Sequence, residues 1–318
     1  MELSEDELIE AIRRVLSGAG PEVIVGPGDD AAVLEAGSGE LVLTADAMIE
    51  DVHFDLAITS ARDLGYKAVT VNVSDIAAMG ASPRAALVTL ALTADLDAAW
   101  VMELYGGMRQ ACDEHALWLV GGDLSGGRQV AISVTVTGEV APGRAVTRAG
   151  ATPGDVLAVT GALGASAAGL RVARSGRVNG DIERALLHAH LRPTARVGEG
   201  TTLARNGATA MMDVSDGLLK DLTRLAAASG VRATIRVRDV PVADGATRDD
   251  ALGGGEDYEL VVTLPGEEAF TGATAELRET YGTPLTAIGR IVEGRGVVDQ
   301  DGEAERPLEP TGWDHFRP

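Results

Sequence analysis

The 318 residues carry 27 Lys and Arg against 48 Asp and Glu, a formal net charge of −21, and 45% of them are hydrophobic. Such a chain is long enough for one large or two ordinary domains with real cores, and its acidity argues against nucleic acid or an anionic membrane as partner. With no run of eighteen apolar residues, no leader-like start and a single cysteine, Cys112, that excludes an internal disulfide, the expectation is a soluble, cytoplasmic protein without a membrane span.

In chain order, Ser4 and Glu7 make a capping box for a first predicted helix, with Leu8, Ile12 and Leu16 on one face. Strand-like runs follow at "AAVLEA" and "ELVLTAD". The stretch "DLGYKAVTVNVSDIAAMGA" is ambiguous: Val69, Val71 and Val73 alternate as in a strand, while Leu64, Ala68, Val71, Asp75 and Met79 keep helical spacing. A strand at "AALVTLAL", a helix from about Asp97, and strands at "LWLV" and "VAISVTVTGEV" complete the first half. Cys112 falls on that helix and reads as a buried structural thiol.

Gly150, Pro153 and Gly154 punctuate a junction, giving predicted domains 1–148 and 149–318. The second half reads as strand "VLAVTG", helix "GASAAGLRVA", helices near Ile182–His190 and Thr194–Arg205, strand "ATAMMD", and helix "GLLKDLTRLAAASG" closed by Gly230. Strands "RATIRV", "YELVVTL" and "TAIGRIV", with a helix near Glu267–Tyr281, finish an α/β or α+β pattern in two halves.

Acids recur beside Gly or Ser at turns: Asp29 and Asp30 in "GPGDD", Asp46 in "LTAD", Asp75 in "NVSD", Asp123 in "VGGD", Asp213 and Asp216 in "DVSDG", and Glu256 with Asp257 in "GGGED". Any one of them is an ordinary turn residue. As a set they suit Mg²⁺, a hard cation that takes one or two carboxylates together with substrate phosphates. If the acids converged without cations, each pair at 4 Å would repel by roughly 4 kcal/mol at an effective dielectric near 20. Other chemistries fall away. Neither lysine, Lys67 or Lys220, follows a glycine, so no Walker loop exists, and protein-kinase signatures and zinc patterns are absent. His188 and His190 of "HAH" are two apart on a predicted helix and face apart.

The ordered set "GPGDDAAV", "LTADAMIEDVHF", "YKAVTVNVSDIAAMGA", "LVGGDLSGG", "AVTRAGATPGD", "HLRPTARV", "DVSDGLLKDL", "GGEDYEL" and "GWDHF" resembles thiamine-monophosphate kinases, from about residue 20 to the end. The resemblance implies the two-domain α/β (α+β) fold of aminoimidazole ribonucleotide synthetase. In that fold the N-terminal sheet forms a β-barrel across a homodimer and the C-terminal α/β domain covers the cleft. It also implies transfer of a phosphoryl group from ATP to thiamine monophosphate, in line and with several Mg²⁺ ions. Family metal ligands fall on Asp30, Thr44, Asp46, Asp75, Asp123, Asp213 and Asp216, with Asp29 a neighbour of the first. Nucleotide contacts fall on Tyr105, Gly122, Asp123, Arg148 and Ser215, and substrate contacts on His53, Glu256 and Trp313. Asp75, Asp213 and Arg148 are then the residues closest to the chemistry. Arg148 offers a planar fork to phosphate oxygens, Ser215 and Asp216 precede a helix whose amides favour an anion, and Trp313 can stack on a cationic ring. Structural readings stand beside these: Trp313 as a tail anchor, His53 as a satisfied histidine, Tyr105 as part of a wall. Ala45 replaces a hydroxyl residue usual in the family, which puts one peripheral contact in doubt.

The acceptor is already a phosphate monoester with a second pKa near 6, so no strong base is required, and catalysis reduces to alignment and charge neutralisation. Two alternatives remain open: another ATP-dependent synthetase of the same fold, or a non-catalytic Mg²⁺- and nucleotide-binding protein. Against the first, no reactive Cys precedes "GPGDD" and the chain ends "HFRP" without cysteine.

Overall fold

The computed structural model describes residues 5–16, 21–27, 31–302 and 304–313. Ser4, Asp29, Asp30 and the terminal "DHF" lie outside these residues. The chain divides into two compact units, one of Met1–Ile76 with Ser82–Gly143 and one of Ala77–Ala81 with Arg144–Pro318.

In the first unit, α1 (Glu5–Val15) buries Leu8 and Ile12. Strands β1 (Val23–Val25) and β2 (Val33–Leu34) make a small antiparallel pair, and β3 (Glu40–Ile49) leads through a turn to α2 (Ala61–Ala78). Next come β4 (Ser82–Leu92), α3 (Ala98–Glu114), β5 (Trp118–Gly126) and β6 (Ala131–Val140). The four long strands form an open sheet in the order β3-β6-β4-β5. The ambiguous valine stretch is helix α2, in which Val69, Val71 and Val73 are all buried. A helix buried on nearly every side carries no polar face for periodicity to reveal. Its polar side chains turn back on the helix: Thr70 Oγ1 donates to Tyr66 O at 3.0 Å and Asn72 Nδ2 to Ala68 O at 3.0 Å. Asp97 caps α3 by accepting the Trp100 N–H at 2.7 Å, and Cys112 lies buried on that helix, its thiol pushed up to about 12 by burial.

The second unit runs β7 (Val156–Thr160), α4 (Ala165–Ser175), α5 (Asp181–Leu191), α6 (Val197–Arg205), β8 (Ala210–Asp213), α7 (Leu218–Ser229), β9 (Arg232–Ile235), α8 (Arg248–Gly253), β10 (Leu260–Leu264), α9 (Gly266–Tyr281), β11 (Leu285–Val292), β12 (Gly296–Asp301) and β13 (Ala304–Pro307). Its mixed sheet has the order β13-β12-β9-β11-β7-β10-β8. Strands β7 and β10 are buried at every position, as central strands covered on both faces are. On one side Leu157, Val159 and Met212 meet Leu218, Leu222 and Leu225 of α7. On the other, Ala158, Met211, Val262 and Leu264 meet Leu203 of α6 and Leu277 of α9. Each such leucine, fully buried, contributes about 1.5–3 kcal/mol. Helix α6 starts at Val197, later than the expected Thr194. Among the described residues no helix is long and apolar enough to cross a membrane.

Candidate active-site residues

The predicted site residues fall into two sets, one on each unit. In the first unit, β3 pairs with β6 in unbroken register from Glu40 to Ile49, so its side chains alternate strictly between faces. Thr44 and Asp46 share one face; Leu41, Leu43 and Ala45 share the other. Thr44 Oγ1 donates to Asp75 Oδ2 of α2 at 2.6 Å. The Asp46 main-chain N–H donates to Asn72 Oδ1 at 2.9 Å. Asn72, one turn before Asp75 on a buried helix, therefore ties the acid-bearing end of β3 to α2; "NVSD" contains it, but nothing in the motif alone assigned it a partner. Ala45 points away from Thr44 and Asp46, so its missing hydroxyl leaves that cluster intact.

Asp123 behaves differently. It pairs with Thr89 on β4, Thr89 pairs with Ser133 on β6, and Ser133 pairs with Ala47 on β3. Paired residues share a face, so Asp123 lies on the face of Ala47, opposite Asp46. Three strand spacings, about 14 Å, also separate the two strands. One ion cannot be held by both from a single chain. Ser125 Oγ donates to Asp123 Oδ2 at 3.0 Å. A Cβ on Gly122 would meet Val88 O at 1.8 Å, so glycine there is required first by the close approach of β4.

His53 Nδ1 accepts the Ile49 N–H at 3.0 Å, which places the proton of a neutral ring on Nε2, a donor suited to a phosphate or hydroxyl oxygen. Tyr105 is only 4% exposed on α3, and burial raises its phenol above the ordinary range. The wall reading of this residue matches its packing; a nucleotide reaches little of the side chain.

The second unit gathers Asp213, Ser215, Asp216, Glu256 and Trp313. Asp213 ends β8 opposite Leu260 and is buried. Beyond the strands, the Val214 and Tyr258 amides donate to Glu259 O at 2.8 Å and Val214 O at 3.0 Å, and the Glu256 amide donates to Ser215 O at 2.8 Å. This extended pairing sets Glu256 beside Ser215. Glu256 and Tyr258 both adopt positive φ, 65° and 53°, a conformation that costs a side-chain-bearing residue energy and that the surrounding bonds must hold.

The amides before α7 depart from expectation. Ser215, Asp216 and Gly217 N–H all donate to Asp221 Oδ2, at 3.0, 2.9 and 3.2 Å. These amides already serve an internal anion, and Asp221 is itself fully buried and paired with Arg224 at 2.7 Å. Burial raises the Asp221 pKa, with the Asp216 amide and Arg224 working against it. Asp216 is ion-paired with Arg224 at 2.7 Å and Lys220 at 3.3 Å. The Trp313 N–H donates to Asp216 O at 2.9 Å and Trp313 O accepts from Lys220 Nζ, so the tail is anchored by its backbone while the indole stays half exposed. Arg148 is exposed, and its carbonyl accepts from Ser229 Oγ at 2.9 Å.

Asp257 makes a second internal plug. Its carboxylate accepts the Gly164 and Ser166 amides at 2.6 and 3.2 Å, at the start of α4, and burial pushes its pKa up to about 7. Arg196 of "HLRPTARV" holds Glu259 through Nη2 and Nε at 2.5 and 2.8 Å, and Thr160 Oγ1 adds a bond at 2.6 Å. His188 is exposed and His190 buried, so the pair does face apart.

Among the described residues no three His, Cys, Asp or Glu side chains sit close enough to hold a metal ion by themselves. The Thr44–Asp75 pair, with Asp46 beyond it on the same face, nevertheless fits Mg²⁺: the donors are hard oxygens, and that ion takes few carboxylates when phosphates and water complete its shell.

Comparison with known proteins agrees with this architecture. Residues 28–140 match the model of the AIR synthase related protein N-terminal domain, and residues 152–301 that of its C-terminal domain. The thiamine-monophosphate kinase of Aquifex aeolicus (strain VF5) is 38% identical over 326 residues, covering 99% of each chain. The crystal structure of thiamine-monophosphate kinase from Stenotrophomonas maltophilia K279a superposes with a TM-score of 0.82 at 38% identity, covering 93% of this chain and 96% of that one. A structure of AaThiL complexed with AMPPCP and TMP superposes with a TM-score of 0.78 at 36% identity over 99% and 98% of the two chains. On this evidence the chain belongs to the thiamine-monophosphate kinase family of enzymes.

Proposed function

We propose that this chain transfers the γ-phosphoryl group of ATP to thiamine monophosphate, giving thiamine diphosphate and ADP. The observation that carries the reading is the full-length likeness, at 36% identity, to AaThiL, which binds AMPPCP and TMP together. The terminal phosphate oxygen of thiamine monophosphate attacks the γ-phosphorus in line, the bond to the bridging oxygen of ADP breaks, and the attacking oxygen brings no proton that a strong base must remove.

The first unit supplies Thr44, Asp46 and Asp75 as Mg²⁺ ligands, with Asp30 and its neighbour Asp29 expected to join them. Asp123 serves a different ion or a site shared with a second copy, because it lies on the other face of the sheet. The second unit supplies Asp213 and, where its ion pairs open, Asp216. Bound Mg²⁺ neutralises phosphate charge and aligns the two substrates. Arg148 and Ser215 bind nucleotide phosphates, Tyr105 and Gly122 contribute nucleotide contacts from the first unit, and His53, Glu256 and Trp313 bind thiamine monophosphate. Within 1–148 and 149–318 these roles divide between an ATP- and Mg²⁺-binding half and a half whose tail returns to the substrate.

A homodimer is part of the same reading. The open face of the four-stranded sheet exposes Leu41 (64%), Leu43 (61%) and Leu87 (45%), and burying such a face against a second copy is favourable. A cytoplasmic location follows from the substrates.

The test is acceptor choice. With ATP and Mg²⁺, thiamine monophosphate gives thiamine diphosphate and an equal amount of ADP, while thiamine, whose alcohol needs a base, reacts at least about a hundredfold more slowly. Equal rates with both acceptors, or ADP formed without thiamine diphosphate, contradict the proposal.

A further inference from the structure

We infer that His190 is a positioning residue that holds the Glu256 carboxylate for the substrate, with Ser166 sharing the same ring nitrogen. The inference rests on the reading of Glu256 as a substrate contact. Three side chains meet at His190 Nδ1: Ser166 Oγ lies 3.0 Å away and Glu256 Oε2 3.5 Å away. Ser166 and His190 are buried, whereas the Glu256 side chain is partly exposed, so the constellation leads from the interior to an accessible carboxylate.

Chemistry decides which way the bond points. An ionised carboxylate only accepts, so the proposed tautomer carries its proton on Nδ1, between Glu256 and a Ser166 oxygen that accepts a share of it. The scaffold holds each partner from a different side. Helix α5 carries His190, and it lies close against α4 because position 169 is glycine: a Cβ there would meet Leu186 O at 2.0 Å and His190 Cβ at 2.8 Å. Ser166 is fixed through its own amide by Asp257 at 3.2 Å. Glu256 sits at φ 65° with its amide on Ser215 O at 2.8 Å, so its backbone is pinned in an uncommon conformation and only the side-chain torsions remain to be set. Rotamer freedom that a partly exposed glutamate keeps must be given up on binding, which weakens affinity. Contact with His190 restricts that freedom beforehand.

The experiment uses the full-length protein with ATP, Mg²⁺ and thiamine monophosphate, and four variants: Glu256→Gln, His190→Leu, His190→Asn and the double variant His190→Leu/Glu256→Gln. His190→Leu keeps bulk and removes the donor; it should raise KM for thiamine monophosphate about tenfold, with kcat and KM for ATP changed less than about twofold. His190→Asn offers an N–H near the Nδ1 position and should recover most of that loss. In the Glu256→Gln background, His190→Leu should add less than about a twofold further effect. If His190→Leu does not fold, His190→Gln, whose amide reaches past the Nδ1 position, replaces it with the same expected tenfold rise. The inference is overturned, and the Glu256 assignment kept, if Glu256→Gln raises this KM while loss of the His190 donor does not. It is also overturned if His190→Asn is no better than His190→Leu, or if KM for ATP and kcat move equally. An unchanged KM in Glu256→Gln removes the substrate assignment of Glu256 and this inference with it.

Discussion

The predicted ligand acids of the first unit and the loop acids of the second are used in different ways. In the first, Asp46 and Asp123 stand exposed on opposite faces of an open sheet, and Asp75 accepts the Thr44 hydroxyl. In the second, acids are taken up by the fold: Asp221 by three amides and Arg224, Asp257 by the first turn of α4, Glu259 by Arg196, and Asp216 by Lys220 and Arg224. A high acid count is therefore two populations. One shapes loops from inside, and the other presents oxygen ligands for added cations.

The largest effect expected from this contrast is at Asp75. Asp75→Asn should lower turnover at least about a thousandfold while the melting temperature stays within a few degrees of wild type. A variant retaining a tenth of the activity places Asp75 with the structural acids. Next comes Asp221→Asn, which weakens an anion that three amides and Arg224 converge on; denaturant unfolding should show a loss of about 3 kcal/mol. Full stability with lost turnover would instead assign Asp221 to the chemistry.

A smaller effect is read from pH. The folded pKa of Asp257 is raised to about 7 by burial, so its stabilising contribution is present below the unfolded value near 4 and is lost as pH rises through 7. The unfolding free energy of wild type relative to Asp257→Asn should fall by roughly 2 kcal/mol between pH 5 and pH 8. A flat difference shows that the carboxyl is not desolvated as its packing indicates. The smallest effect is at Ala45: Ala45→Thr should leave kcat within about twofold and the melting temperature within a few degrees, because that side chain faces away from Thr44 and Asp46. A loss of kcat as large as that of Asp75→Asn breaks the two-face description of β3.

The sequence carried most of the elements, because their signals were local. Asp97 capped its helix, Gly230 closed α7, and alternation marked β3 and β6. It missed β12 and β13, whose "GVVDQD" and "AERP" lack an apolar alternation; β13 is exposed at every position, so no buried face imprints a pattern. It left α2 undecided because a helix buried all round has no polar stripe. Site residues next to glycine turns were legible by type. Their partners were not: Asn72, Asp221 and His190 act across 26, 6 and 66 residues respectively, on Asp46, the Ser215 amide and Glu256, and such contacts exist only after folding. Local spacing also suggested open amides before α7, where Asp221 already fills them.

The central claim is phosphoryl transfer to a phosphate, and following the label tests it most directly. With ATP labelled in the γ-phosphoryl group, Mg²⁺ and thiamine monophosphate, the label should appear in the terminal phosphate of thiamine diphosphate in step with ADP, with little released as inorganic phosphate. Label recovered as inorganic phosphate while thiamine monophosphate is left unchanged would contradict it.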